Sequence, residues 1–328
     1  ALTQVTLVYG AFDEVLELSK TNENAKSVIQ SWADATWFTS KPEFPKSFTV
    51  KVFKADGESN TDDFSPAKHA WSRADIPLHA LTMGESAWAH GNKTIDQFRA
   101  EGFEVAFAGD VVGTGSSRKS ACNSVMWKIG SDIPFVPNKR RGGVIIGGVI
   151  APIFFNTTED SGGLPIVCDV NKISTGDVIT IDTEKCEIRN DKGEIISKFE
   201  LKPATIKDEF RAGGRLNFII GRQLTARARK ALGLSESTAF TKTENPQPKP
   251  NQGYTLAQKI IGKACGVVGV LPGTACEPKM ATVGSQDTTG PMTRDEIKEL
   301  ACLEFQTDFF MQSFCHTAAY PKKADVDM

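Results

Sequence analysis

Long apolar runs are missing from this sequence. No stretch of about 18 apolar residues occurs, so no segment reads as a membrane-spanning helix. The opening ALTQVTLVYGAFDEVLELSK has neither a basic leader nor a long apolar core and does not read as a secretory signal. An excess of either charge is missing as well. Lys and Arg number 38 against 40 Asp and Glu, a net charge of -2. That balance advertises neither nucleic acid nor an anionic membrane. Cysteine is sparse and scattered. The seven, Cys122, Cys168, Cys186, Cys265, Cys276, Cys302 and Cys315, contain no Cys-x-x-Cys and cannot frame a disulfide-rich domain. They read as thiols of a reduced cytoplasmic protein. Their spacing also argues against an iron–sulfur or zinc site built within the chain, because such sites usually draw two ligands from one short turn.

What is present is an ordinary globular composition, with 40% hydrophobic and 24% charged residues over 328 positions. That length suggests about two domains. Residues 1–46 read as a helical entry segment broken at TNEN. From Ser47 the pattern changes: SFTVKVFKA alternates apolar and polar, as a half-buried strand does. FEVAFAG and GGVIIGGVIAPIFF read as buried strands, and SRKSACNSVMWKIG as a helix. DVITIDT, a hairpin around Asn190 to Gly193, and KFELK follow. FRAGGRLNFIIGRQLTARARKALGL reads as a glycine-flanked strand and then a basic helix ending near Gly233. Residues 47–240 are therefore expected to form a mixed α/β domain. TKTENPQPKPNQ, residues 241–252, has no apolar side chain and reads as a linker. A further unit occupies 253–328, with a capping box at Thr293 and Glu296.

The most informative stretch is GDVVGTGSSRKSACNSVMW, from Gly109 to Trp127. A strand leads into it and a helix follows. Gly113 and Gly115 permit positive φ and close approach of a ligand. Ser116 and Ser117 fall where the helix would start, so free N–H groups and the positive end of the dipole face the loop. Arg118 adds a fork suited to carboxylate or phosphate. The pattern fits neither the Walker loop nor the dinucleotide fingerprint. It points to a small anion, although a capped helix start with a solvated arginine has the same composition. Three more groups stand out: Asp62 and Asp63 in the turn of NTDDFSPAKHAWSR with Arg73 downstream; Gln286, Asp287 and Thr288 in the GSQDTTGPMT loop; and His316 in QSFCHTAAYP. Simple turn chemistry accounts for each taken alone.

Together, NTDDFSPA, GTGSSRKSACNSV, KRRGGVIIGGVIAPIFFNTTEDSG, VGSQDTTGPMTRDE and SFCHTAAYP, in that order, resemble the bacterial B branch of the aconitase family. The resemblance covers nearly the whole chain. It implies an α/β fold in three parts: the tail of a helical-repeat domain (1–46), a mixed β/β/α swivel domain (47–240), and the start of the cluster-bearing region (253–328). The chain is thus expected to be a fragment of a longer cytoplasmic bacterial enzyme. The resemblance implies a hydro-lyase acting on citrate, cis-aconitate and isocitrate, and on 2-methylisocitrate in some bacteria, with a [4Fe-4S] cluster.

Carried over residue by residue, Ser116 is expected to be the catalytic base. Ser117, Arg118 and Arg73 are expected to bind substrate carboxylates. Asp62 matches the family's Thr-Asp-x-x-Ser turn and is expected to be catalytic, and Gln286, Asp287 and Thr288 match its substrate loop near the cluster. His316 is expected to aid departure of the hydroxyl. Two residues depart from the mitochondrial-type pattern: Cys315 stands where an aspartate partners the histidine, and Lys119 where a glutamate follows the arginine. The family's cluster cysteines would lie past residue 328, so this chain alone is expected to bind no cluster and to be inactive. Two alternatives use other surfaces. The basic segments NKRRGG and RQLTARARK suggest messenger-RNA binding, and the helical and swivel parts suggest a homodimer module.

Overall fold

In the computed structural model, residues 8–69, 75–116, 119–134, 136–286 and 308–313 are described. The centre is a mixed sheet in the order β6-β5-β2-β1-β7-β8-β9. Four of its strands run parallel: β1 (Ser47–Asn60), β2 (Val105–Thr114), β5 (Val144–Ile150) and β6 (Leu164–Val167). β7 (Val178–Asp182), β8 (Glu187–Arg189) and β9 (Ile195–Lys198) extend it antiparallel beyond β1. A small ribbon of β3 (Ser131–Ile133) and β4 (Val136–Arg141) stands apart. The expected α/β class and the strands at SFTVKVFKA, FEVAFAG, DVITIDT and the 190–193 hairpin are all present.

Alternation along the strands makes two cores. On one face Phe53, Val105, Phe107 and Ile145 meet the helical layer. That layer comprises α4 (Thr61–Phe64), α5 (Ile76–Ala80), α6 (Gly91–Ala100), α7 (Lys119–Ile129) and α8 (Pro152–Asp160). α7 lies deepest, with Ala121, Cys122, Val125 and Met126 at most 1% exposed. On the other face Val50, Val52, Ala106, Ile146, Leu164 and Ile179 meet Ile206 of α9 (Ile206–Ala212). Burying each large aliphatic or aromatic side chain contributes about 1.5–3 kcal/mol.

The entry segment is helical, as its pattern predicts: α1 (Val8–Leu18), α2 (Glu23–Ala33) and a turn of α3 (Thr36–Thr39). Asn22 caps α2, its side chain accepting from the Ala25 amide at 3.1 Å. Phe12, Ile29 and Trp32 pack on Leu224 and Ala228 of α10 (Arg215–Ala231).

The sequence reading errs at three places here, the first being KFELK, of which only Lys198 lies in a strand, at the end of β9. RLNFII is not a strand but the opening of α10, one continuous helix. A short apolar run cannot by itself separate a buried strand from a buried helix, and here Phe218 packs with Phe38 and Ala212 while Leu224 and Ala228 meet Phe12 and Ile29. Gly221 within α10 has a packing reason: a Cβ there would sit 2.3 Å from the Trp37 ring. PIFF likewise starts a helix, because Pro152 at the first position of α8 has the right φ and no N–H to waste. After residues 241–249, which are mostly exposed and form no regular element, come α11 (Leu256–Ala264) and a parallel pair, β10 (Thr282–Gln286) and β11 (Phe309–Ser313).

Candidate active site

Parallel pairing of β1 with β2 ends on Asn60 opposite Thr114. Both strands therefore release their chains side by side at the carboxyl edge of the sheet. That edge is where open α/β sheets bind ligands. β1 releases the Asp62 turn, and β2 releases the loop that begins at Gly115.

The Asp62 turn is built from Asn60. Its side chain accepts from the Asp62 amide at 2.7 Å and the Asp63 amide at 3.2 Å. Asp63 replies by accepting from the Asn60 amide at 2.8 Å, which closes a capping box. Asp63 is thus consumed by structure and buried, whereas Asp62 is exposed. The turn expected from the sequence is a single helical turn, α4.

The two loops touch. A Cβ on Gly115, whose φ is +88°, would stand 3.4 Å from Thr61 Oγ1. Beneath them lies an aromatic floor. Phe64, three residues after Thr61, stacks on Phe154 with centroids 5.2 Å apart and meets Phe107 edge-on at 5.1 Å. Phe154 in turn fills the space where a Gly113 side chain would be, 2.1 Å from that Cβ position. Gly113 is therefore required twice, for its φ of +79° and for the ring against it. One stacked pair supports both loops.

A buried polar chain ties the same elements together. Ser65 Oγ, at the C-terminal end of α4, lies 2.8 Å from His79 Nε2 and 2.7 Å from Ser120 Oγ. His79 is 0%, Ser65 4% and Ser120 5% exposed. Ser120 belongs to the first turn of α7, so the network anchors the helix that follows the Ser116 loop. None of these three residues stood out in the sequence. The signal available was the Asn60-x-x-Asp63 spacing, which marks a cap and hence a specified turn.

The structure sets the turn that carries Asp62 beside the loop that carries Ser116. Ser116 is half-buried between the end of β2 and the start of α7 at Lys119. Gln286 is not in a loop: it is the last residue of β10, paired with Ser313 of β11. Ser117, Arg118, Arg73, Asp287, Thr288 and His316 lie outside the described residues, as does the Thr293 capping box.

Elsewhere the charged groups answer to structure. Glu159 and Glu209, 2% and 4% exposed, face Arg215, which sits 3.3 Å from Glu159 and 2.9 Å from Asp160. Burial and then the charge of Glu209 push the Glu159 carboxyl up to about 7. Arginines of the two basic segments are engaged inside the chain. Arg140 pairs with Asp132 at 2.7 Å and lies over the Trp127 ring. Arg222 pairs with Glu277 at 3.1 Å, and Arg229 donates to the Ala33 carbonyl at 2.8 Å. A cavity of about 680 Å³ opens at the opposite edge of the sheet, near Ser47, Val105, Val144, Arg99 and Arg141. Among the described residues no helix is long and apolar enough to cross a membrane. Nor, among them, could any group of three or more His, Cys, Asp or Glu side chains hold a metal ion, so those residues alone do not fit an iron–sulfur cluster.

Comparison with known proteins finds relatives over the whole chain. Residues 50–254 match the family described as aconitate hydratase 2 N-terminus, and residues 1–38 match the aconitate B N-terminal domain. The chain is 62% identical to aconitate hydratase B of Synechocystis over 326 residues, covering 99% of this chain and 37% of that protein. It is 58% identical to aconitate hydratase B of Helicobacter pylori over 329 residues, covering 100% of this chain and 38% of that one. The chain thus spans under two fifths of the length of these relatives. A 3-isopropylmalate dehydratase structure from Methanocaldococcus jannaschii aligns at 21% identity and TM-score 0.43, over 56% of this chain and 99% of that one.

Proposed function

The chain belongs to the aconitate hydratase B family, and on that premise we propose that it is the substrate-side part of a hydro-lyase interconverting citrate and isocitrate through cis-aconitate. One observation carries the reading: the Asn60–Thr114 pairing sets the Asp62 turn against the Ser116 loop at the carboxyl edge of a parallel sheet.

In this proposal Ser116 takes the proton from the substrate carbon. A serine is a weak base in water, and it needs nearby donors and cations to bear charge. The positive end of α7 is one such source. Arg118 and Arg73 would hold carboxylates, for which a guanidinium fork is suited. Asp62, exposed beside the loop, is an acceptor for a substrate hydroxyl or an arginine. Ser117, Gln286, Asp287 and Thr288 complete the substrate contacts in this reading, and His316 serves the departing hydroxyl. The family implies a [4Fe-4S] cluster in the longer protein. The described residues do not supply it, so the ligands are expected from other parts of such a protein. Action on 2-methylisocitrate, a place in the tricarboxylic acid cycle and a cytoplasmic location belong to the same proposal. So does the division into a helical segment (1–46), a swivel domain (47–240), a linker (241–252) and the start of a cluster-bearing region (253–328).

RNA binding is not favoured, because Arg140, Arg222 and Arg229 already have partners within the chain. A homodimer module is a separate question, settled by sedimentation of the chain.

Grafting tests the function. This chain replaces the matching segment of the Synechocystis enzyme, and citrate-to-isocitrate turnover is measured after iron–sulfur reconstitution. The proposal expects turnover comparable with that of the ungrafted enzyme. A folded graft with full iron–sulfur absorption and no turnover would overturn it.

A further inference from the structure

Among the described residues, the buried threonines Thr82, Thr158, Thr183 and Thr225 each hold a side-chain hydrogen bond. Thr61, the first residue of α4, is buried as deeply and differs. It is 3% exposed, and its Oγ1 has no hydrogen-bond partner.

The turn itself explains why nothing local takes that hydroxyl. A threonine inside a helix can donate to the carbonyl three or four residues earlier, as Thr158 does to Phe154 at 2.8 Å. Thr61 opens its helix, and the residues before it belong to strand β1. The other polar groups of the turn are already matched. Asn60 Oδ1 accepts from the Asp62 and Asp63 amides, and Asp63 accepts from the Asn60 amide. The Thr61 carbonyl accepts from the Ser65 amide at 2.9 Å. Only the Thr61 hydroxyl is left over.

That hydroxyl faces the Ser116 loop. Thr61 Oγ1 is the nearest atom to a Cβ built on Gly115, at 3.4 Å, and the Asn60–Thr114 pairing fixes the approach. Ser59, Ser124, Ser161 and Ser197 also carry buried hydroxyls without a partner. None of them is among the atoms nearest that Cβ. A buried polar group left unpaired lowers stability, and valine has almost the same shape without that cost. Such a cost is expected where activity and stability compete.

We propose that Thr61 is the hydrogen-bond donor held in reserve for Ser116. Its hydroxyl is unspent in the free chain and donates to Ser116 Oγ while that oxygen carries the charge of a base. No proton leaves Thr61, and no earlier hydrogen bond has to break. Because the hydroxyl is shielded from water, a donor placed there acts on developing charge more strongly than one in solvent. Hydrogen bonds of this kind tighten only as the reacting complex forms. The inference rests on the hydro-lyase reading and adds a residue to it.

Thr61→Val removes the hydroxyl and keeps the shape. In the Synechocystis graft, steady-state kinetics on citrate are expected to show kcat lower by about 10²-fold, the size of effect seen when one donor to a developing oxyanion is lost. KM should change little. Thr61→Ser, which keeps the hydroxyl, should recover most of the loss. Denaturant unfolding of the chain is the second readout. There Thr61→Val should match wild type or exceed it, because an unpaired polar group has been removed. A kcat within a few-fold of the unsubstituted graft would overturn the proposal, as would an effect confined to KM. So would a Thr61→Ser variant as slow as Thr61→Val, or a lower unfolding midpoint in Thr61→Val, the mark of a hydroxyl that serves structure. An unsubstituted graft without turnover sinks the hydro-lyase reading and this inference together. An active graft indifferent to Thr61→Val sinks this inference alone.

Discussion

Ser65 serves two buried partners with one hydroxyl: its proton satisfies one contact and a lone pair the other. Ser65→Ala leaves His79 Nε2 and Ser120 Oγ without that partner in sites at most 5% exposed. Stranded buried polar groups cost about 1–3 kcal/mol. Denaturant unfolding is expected to show a loss of that size. A change below about 0.5 kcal/mol, the usual scatter at an uninvolved surface position, would mean the network carries little. Gly113 is a second sensitive residue. Gly113→Ala forces a Cβ onto the Phe154 ring at a positive φ, and overpacking alone costs about 1–3 kcal/mol. A midpoint shift in the same assay is expected.

Helix α10 shows how an element can overrule its own propensity. Glycine inside a helix normally costs up to about 1 kcal/mol relative to alanine, so Gly221→Ala would be stabilising on propensity alone. The Trp37 ring at 2.3 Å from the added Cβ reverses that expectation. The variant is expected to be less stable than wild type by thermal unfolding; a higher midpoint would contradict the packing account.

The same helix marks what was legible beforehand. Its basic second half was readable. Its first half looked like a strand, because what decides RLNFII is Phe218 packing on Phe38 and Ala212, with Trp37 and Phe240 around it, from segments far apart in sequence. The sheet strands were legible because alternation is local. At the site, the Ser116 loop was legible as a turn between a strand and a helix, which β2 and α7 bear out, and physical reasoning went no further. Asp62 separated from Asp63 only once the Asn60 capping box was seen to consume the latter. The aromatic floor and the Ser65 network were not legible, since their members come from three or four segments with no common spacing.

At the scale of the molecule, the junction of α8, α9 and α10 should make folding pH-dependent. Glu159 meets Glu209, Asp160 and Arg215 there, and its carboxyl is pushed up to about 7 by burial and then by Glu209. In the unfolded chain it ionises near ~4.3. Between those values the folded state holds a proton that the unfolded state has released. This contribution to stability is therefore complete below ~4.3 and is lost as pH rises through about 7. Glu159→Gln removes the titration. Melting temperatures across this window are expected to fall less steeply with pH in the variant than in wild type. Parallel curves would contradict the assignment.

The central claim is that this chain supplies the base of a hydro-lyase through Ser116. It is tested most directly by Ser116→Ala in the Synechocystis graft, with turnover and the iron–sulfur spectrum read on the same sample. A positioned base contributes about 10²–10⁴-fold. The account predicts a loss of kcat in that range with the spectrum unchanged. Turnover within a few-fold of the unsubstituted graft would contradict it.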